Sequence, residues 1–206
     1  MGILESANLQ SLYNAAVQHD STTEEDGEHF AFQFWLNFTC NQFITRFYSL
    51  DCTASPNDSP PHKCNIVRQI KNTSRTMPTV LWMECQLPGD TVQDVETKAL
   101  AGAKRTVESD DLDYVCVITT MSISFRVWVY KLGDAHLTAL YGSDGGGDLE
   151  QYIDAGSETS DVGIALCSMI QEPRPLLELD VVPSPEDFGE YINELRRHKA
   201  EAATLQ

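Results

Sequence analysis

Basic residues are scarce in this sequence. Its 206 residues include 14 Lys and Arg against 31 Asp and Glu, which gives a formal net charge of −17 at pH 7. Affinity for nucleic acids comes largely from Lys and Arg side chains that neutralise phosphates. Because a chain this acidic repels phosphates at long range, we predict that nucleic acid is not a partner.

Signals for membranes, secretion and metal binding are also lacking. No apolar run is long enough to span a bilayer, and the N-terminus has no basic region followed by an apolar one. Gly2 fits an N-myristoylation pattern, but one acyl chain binds membranes weakly and no polybasic segment follows, so acylation stays open. The six cysteines form no Cys-x-x-Cys pair and no zinc-like spacing with histidine. We therefore expect a reduced, cytoplasmic protein that uses no metal, cofactor or membrane.

Common hydrolase motifs are missing as well. The sequence contains neither a Gly-x-Ser-x-Gly elbow nor a His-Glu-x-x-His zinc motif. Gly145, Gly146 and Gly147 are not followed by the Lys-Ser/Thr of a phosphate-binding loop. The glycine-rich segment 141–157 is instead predicted to be a flexible loop that acts as a lid.

The most informative stretch that is present is a predicted strand over residues 79–87. Side chains on a strand alternate between its two faces, and both faces of this segment are largely apolar, which is typical of a central strand covered by helices. Glu84 shares a face with Trp82 and Gln86. Burying a carboxylate is costly unless something compensates it. Glu84 is therefore either a hydrogen-bonded structural residue at the rim of the sheet or part of a functional site.

The remaining pattern predicts one α/β domain with a central mixed sheet flanked by helices. The length fits a single domain, 1–206, with its core at about 30–172. Periodicity predicts helices and a hairpin, separated by a Pro-rich loop at 51–63. The predicted helices are 3–18, 91–107, 158–171 and 185–203, and the hairpin strands are 114–120 and 124–130.

Several of these segments resemble a known family. The strand VLWMECQ, the helix that begins near Asp90 and the strands DYVCVITT and SFRVWVY resemble PD-(D/E)XK nuclease-like proteins, particularly small fungal members. The resemblance covers about residues 30–130 and implies a restriction-endonuclease-like fold. In that family an Asp opens one strand, and a Glu-x-Lys on the next strand completes a magnesium site that hydrolyses phosphodiesters.

The family's magnesium site is only partly present in this sequence. Glu84 stands at the family's Glu position, Gln86 stands where the Lys belongs, and Asn65 stands where the Asp belongs. Magnesium prefers carboxylate oxygens, and an amide cannot replace the cation that stabilises developing charge. The resemblance therefore implies a degenerate site without metal or ordinary nuclease chemistry.

Aromatic residues provide the candidate ligand contacts. Phe34, Trp35 and Phe38 share a predicted helical face, and they form either core or the wall of a ligand cavity. Arg126 and Trp128 share a strand face, which is either a ligand contact or exposed to solvent. The predicted ligand-binding set is Trp35, Phe34, Phe38, Trp82, Arg126 and Trp128.

Three functions remain open from the sequence. The first is a nuclease-like fold repurposed in secondary metabolism to bind a small, largely apolar metabolite. Glu84 would then act as general acid or base in a cofactor-free isomerisation, cyclisation or dehydration, with Asn65 and Gln86 orienting the substrate. The second is a non-catalytic protein-interaction module, and the third is a nuclease with a migrated metal site that uses acids such as Asp90 or Glu28. Whether any catalysis occurs, and the oligomeric state, are left open.

Overall fold

The computed structural model describes residues 3–19, 24–43, 47–54, 63–69, 77–171 and 182–204. Gly2 and part of the predicted loop 51–63 lie outside the described residues. Within the described ranges, a seven-stranded mixed sheet, mostly antiparallel, carries helices on both faces. The predicted class, an α/β protein with a central mixed sheet, is confirmed.

The strands follow one another across the sheet almost in chain order. The order is β1-β2-β3-β4-β5-β6, and β7 also pairs with β5. Neighbouring strands are antiparallel except β3 and β4, which are parallel. The strands are β1 (Tyr48–Ala54), β2 (Lys63–Gln69), β3 (Thr79–Cys85), β4 (Tyr114–Met121), β5 (Ser124–Lys131), β6 (Thr138–Ala139) and β7 (Ile153–Asp154).

Helices cover the sheet unequally. The helices are α1 (Ala7–His19), α2 (Glu24–Gln42), α3 (Val92–Asp110), α4 (Asp161–Gln171) and α5 (Pro185–Thr204). Residues of α1, α2, α4 and α5 share one apolar cluster with one face of the sheet, here called the α2 face. Helix α3 connects β3 to β4 and packs on the opposite face, here called the α3 face. None of the described helices is long and apolar enough to cross a membrane.

Strand β3 is the central strand that its sequence predicts. It pairs with β2 on one side and β4 on the other, and Leu81 and Met83 are fully buried on the α2 face. Trp82 lies on the α3 face among residues of α3. Helix α3 begins at a capping box, in which the Thr91 hydroxyl accepts from the Asp94 amide and the Asp94 carboxylate accepts from the Thr91 amide. Both faces of the sheet are therefore covered where Glu84 lies.

Two segments predicted as loops contain strands. Strand β1 continues to Ala54, inside the predicted loop 51–63, and β7 lies inside the predicted loop 141–157. Strand β1 pairs with β2 alone among the described strands and exposes Asp51 and Cys52, so it lacks the apolar alternation of a buried strand. Strand β7 has two residues, which is too short for a periodic signal. Pairing with a neighbouring strand, rather than local sequence, defines both strands.

Candidate functional site

A row of buried polar side chains crosses the α3 face of the sheet. The strand register pairs Glu84 with Thr119 and Thr119 with Arg126, so the three residues lie side by side on β3, β4 and β5. Their exposed fractions are 0%, 0% and 1%. Because neighbouring strands lie about 4.8 Å apart, the backbones of Glu84 and Arg126 are roughly 10 Å apart. We call these three residues the polar row.

An apolar row lies beside the polar row, two residues earlier on β3 and β4. It consists of Trp82, Val117 and Trp128, which are also register partners. The indole Nε1 of Trp82 donates to Glu84 Oε2 at 3.1 Å. The indole Nε1 of Trp128 donates to Thr119 Oγ1 at 2.9 Å. The two indoles thus form an apolar platform whose N–H groups bind the polar row.

The guanidinium of Arg126 is fixed by stacking and by main-chain oxygens. Its Cζ lies 4.0 Å from the ring centroid of Trp128, a cation–π contact. One terminal nitrogen donates to Gly145 O at 2.6 Å, and the other donates to Ser143 O. The buried Nε has no hydrogen-bond partner among the described residues. Burial lowers the pKa of Arg126 and the nearby Glu96 opposes the shift, and the group remains a cation at neutral pH.

Glu96 and Tyr152 extend the polar row into a hydrogen-bonded network. Glu96, in the second turn of α3, accepts from the Gly147 amide at 2.7 Å and from the Tyr152 hydroxyl at 3.3 Å. The Tyr152 oxygen lies 2.8 Å from Thr119 Oγ1. Burial raises the pKa of Glu96, although the Gly147 amide, the Arg126 charge and the Tyr152 hydroxyl oppose the shift. Arg126 and Glu96 are 3.8 Å apart, so this network contains a loose buried ion pair.

An exposed loop covers Arg126. Residues 142–150, here called the lid, are all exposed, yet the lid's Ser143 and Gly145 carbonyls bind Arg126. The lid also binds Glu96 through the Gly147 amide. Gly147 has a φ of +77°, a conformation that favours glycine. The contacts that close this side of the site thus come from the lid's main chain.

Asn65 lies on the opposite face of the sheet from Glu84. The antiparallel register pairs Asn65 with Met83, and its Nδ2 lies 3.7 Å from Met83 Sδ on the α2 face. Because Met83 and Glu84 are consecutive residues of a strand, their side chains point to opposite faces. The structure therefore does not bring Asn65 together with Glu84, as a shared site would require.

Gln86 lies beyond the end of β3 and fixes the β4–β5 turn. Its side-chain Oε1 accepts from the Ser122 amide at 2.8 Å, and its main-chain N–H donates to Thr120 O at 3.2 Å. Gln86, Glu28 and Trp35 line a hollow of about 10 Å³, roughly the space of one water molecule. Gln86 is thus bound to the hairpin turn beside α2, and the structure does not join it to the polar row.

The three aromatic residues predicted from α2 belong to the core of the α2 face. Phe34, Trp35 and Phe38 have exposed fractions of 0%, 1% and 0%. The Trp35 ring packs edge-to-face at 4.9 Å from Phe34, 5.8 Å from Phe38 and 5.5 Å from Phe125. They therefore contact one another and lie across the sheet from Glu84. Of the predicted residues, the α3 face brings together Trp82, Glu84, Arg126 and Trp128.

The side chains near Glu84 do not form a magnesium site of the kind that the nuclease family has. Asn65 is on the other face, and the Trp82 N–H group beside Glu84 is a donor that cannot bind a cation. Asp90 binds Lys98 Nζ at 2.6 Å and accepts from the Leu87 amide. Within the described ranges, no group of three or more His, Cys, Asp or Glu residues suits a metal ion.

Comparisons with known proteins leave the family resemblance untested. No protein-family model, curated protein or solved structure matches this chain. Nuclease-like ancestry thus stays a prediction from the sequence, and the chemistry of the site is argued from its own residues.

Three residues of the network were missed from the sequence. Glu96 could have been found from the sequence, because it falls among the inward-facing positions of α3, beside Val95 and Ala99. An acid on an apolar helical stripe predicts a buried polar contact. Thr119 and Tyr152 carried no such signal, since only strand register and the path of the lid bring them to Glu96.

Proposed function

We propose that the polar row is the acid–base site of an enzyme that converts a small, largely apolar molecule without a cofactor. Glu84 is the general acid or base, Arg126 binds an oxygen of the substrate, and Trp82 and Trp128 support its carbon skeleton. The observation that carries this proposal is the alignment of buried Glu84, Thr119 and Arg126 on one face, beside two indoles and under a main-chain lid.

The proposal includes a restriction-endonuclease-like architecture. Antiparallel β1, β2 and β3 are followed by the crossover helix α3 and by the parallel strand β4. This is the element order on which the family resemblance rests. In this proposal the protein is a fungal member of the nuclease-like family that keeps the scaffold. Because Asn65 and Gln86 lie away from Glu84, Glu84 serves acid–base chemistry instead of a metal site.

The energetics of buried charge support a functional role for the polar row. Buried ionic groups can often be replaced by apolar residues of similar volume with no loss of stability. Glu84 and Arg126 lie two strands apart with Thr119 between them, so their side chains approach the α3 face from separate positions. A substrate that bridges them would find a proton-transfer group at one end and a cation at the other.

Proton transfer between two carbons illustrates the chemistry. With the lid displaced, the Glu84 carboxylate removes a proton from the carbon next to a carbonyl, and the electron pair moves to the carbonyl oxygen. Arg126 stabilises the resulting enolate by hydrogen bonding. When the substrate also has a double bond between its β and γ carbons, the enolate is a dienolate. Glu84 then returns the proton to the γ carbon, which moves the double bond into conjugation with no net change in atoms or electrons. The same two groups suit a dehydration or a cyclisation.

Metabolite profiling tests the role of Glu84. Wild-type protein, Glu84→Gln and the control Glu108→Gln, an exposed acid of α3, are incubated with an extract of the source cells. Chromatography with mass spectrometry follows compounds that disappear and form. We expect one substrate–product pair whose conversion slows by about 10²–10⁴-fold in Glu84→Gln, the usual contribution of a general acid or base, and is unchanged in Glu108→Gln. Equal conversion by all three proteins would exclude Glu84 from the reaction.

The net charge of −17 favours a second candidate, a module that binds a basic protein partner. Contacts between exposed charges weaken as salt screens them. A partner captured by wild-type protein at low salt and released at high salt, with no metabolite converted, would favour this candidate over the enzyme.

A further inference from the structure

We propose that Arg126 is the anchor for a carboxylate-bearing small molecule and that the lid fills this anchor until the carboxylate displaces it. The inference rests on the proposed function, because it names the class of molecule that the same site takes. The Ser143 and Gly145 carbonyls then occupy guanidinium nitrogens at a site that a ligand carboxylate would take.

The donors of Arg126 match a carboxylate. A guanidinium offers its N–H groups in a planar fork that binds two oxygens at once, as in arginine–carboxylate pairs. In the structure, two oxygens from different lid peptides bind the two terminal nitrogens. The Nε group, in a side chain that is 1% exposed, has no hydrogen-bond partner among the described residues. A carboxylate bound by Nε and one terminal nitrogen would satisfy this donor, which the lid does not.

The charges around Arg126 favour an anion with a single charge. Glu96 lies 3.8 Å from the guanidinium, and the acidic lid residues Asp144 and Asp148 interact with it electrostatically. These three acids repel any anion, and they repel a doubly charged phosphate about twice as strongly as a carboxylate, so a single negative charge is the better match for one guanidinium. The apolar platform of Trp82 and Trp128 suits the hydrocarbon part of such an acid.

Glu96 acts against the carboxylate in two ways. Its Oε2 accepts from the Gly147 amide and so holds the lid in place, and its negative charge lies next to the anchor. All residues of the lid, 142–150, are exposed, so displacing the lid breaks few buried contacts of its own side chains. Removal of the Glu96 charge should therefore make carboxylate binding tighter.

Nuclear magnetic resonance of ¹⁵N-labelled protein gives the test. Sodium benzoate and its neutral isostere benzamide are titrated at constant ionic strength, and the signals of the Arg126 Nε–H group and of the Gly145, Gly146 and Gly147 amides are followed. We expect benzoate to shift these signals saturably, with a dissociation constant in the millimolar range, and benzamide to leave them unchanged at the same concentrations.

Two variants and a matched control extend the test. Glu96→Gln should bind benzoate about 10-fold more tightly, and Arg126→Lys, which keeps the charge but loses the fork, about 10-fold more weakly. Glu108→Gln makes the same change in net charge at an exposed residue of the same helix, α3, and should match wild type within about 2-fold. Because Glu96→Gln is expected to gain affinity, misfolding cannot imitate the result.

Two results would overturn the anchor. One is an equal response to benzoate and benzamide, or no response at the lid and Arg126. The other is Glu96→Gln binding no more tightly than Glu108→Gln. The Glu84→Gln variant separates this inference from the proposed function: benzoate binding with undiminished turnover in Glu84→Gln rejects the acid–base role alone. Lost turnover in Glu84→Gln without benzoate binding to the wild type rejects the anchor alone.

Discussion

At the scale of single residues, Gly102 sets the position of the Trp82 indole. A Cβ atom at Gly102 would lie 2.4 Å from Cε2 and Cζ2 of Trp82, much closer than any real contact. Helix α3 can approach the sheet here because this position has no side chain. The same indole donates to Glu84, so close packing of α3 helps to orient the carboxylate.

Gly102→Ala is expected to destabilise the protein. Overpacking against Trp82 costs about 1–3 kcal/mol, which outweighs a gain of up to about 1 kcal/mol in helix propensity. Gly189→Ala in α5 is the matched control, because its Cβ would meet no atom within 4 Å, and it should stabilise by about 0.5–1 kcal/mol. Urea denaturation measures both free energies of unfolding. Equal stabilisation by the two substitutions would refute this packing.

The raised pKa of Glu96 makes a prediction about pH. Burial moves this pKa above the ordinary value of 4.5, so Glu96 binds its proton more tightly in the folded than in the unfolded protein. Its contribution to stability is therefore full below about pH 4.5 and is lost as the pH rises through the folded-state pKa. Relative to Glu96→Gln, wild-type protein should lose free energy of unfolding between pH 4 and pH 7. A difference that is constant or grows with pH would contradict the prediction.

At the scale of elements, one hydrogen bond between the lid and α3 depends on a neighbouring glycine. A Cβ at Gly146 would lie 2.7 Å from Glu96 Oε2, the oxygen that accepts from the Gly147 amide. A Cβ at Gly145 would meet nothing within 4 Å. The two adjacent glycines therefore form a natural comparison.

Gly146→Ala should release the lid from α3, and Gly145→Ala should not. Displacing the Glu96 carboxylate removes a hydrogen bond of roughly 1–1.5 kcal/mol, so the Gly147 amide should exchange with deuterium about 10-fold faster in Gly146→Ala. Hydrogen exchange followed by nuclear magnetic resonance measures this rate. The same rate in both variants would mean that Glu96 does not hold the lid.

The elements differ in how far local sequence defines them. Strand β3, the hairpin of β4 and β5, and helix α3 were predictable because each carries a long apolar period or a capping signal. The site was predictable only in part. Alternation put Glu84 and Trp82 on one face of β3, and Arg126 and Trp128 on one face of β5. The strand register places these two pairs side by side and places Asn65 on the opposite face. No local pattern in the sequence reveals that register.

At the scale of the whole molecule, the two faces of the sheet differ in composition. The α2 face holds the larger apolar cluster, including the edge-to-face rings of Phe34, Trp35 and Phe38. The α3 face carries the polar row and its network beneath the lid. The buried charges of Glu84, Glu96 and Arg126 therefore lie on the face with the smaller apolar cluster.

A crystal structure of Glu84→Gln with the molecule that wild-type protein converts tests this account most directly. We predict that the carbon skeleton lies on Trp82 and Trp128, with an oxygen bound by Arg126 and with the Ser143 and Gly145 carbonyls moved away from the guanidinium. Binding of the molecule outside the α3 face would contradict the account. So would a divalent cation held at residue 84 of the wild-type protein by several oxygens.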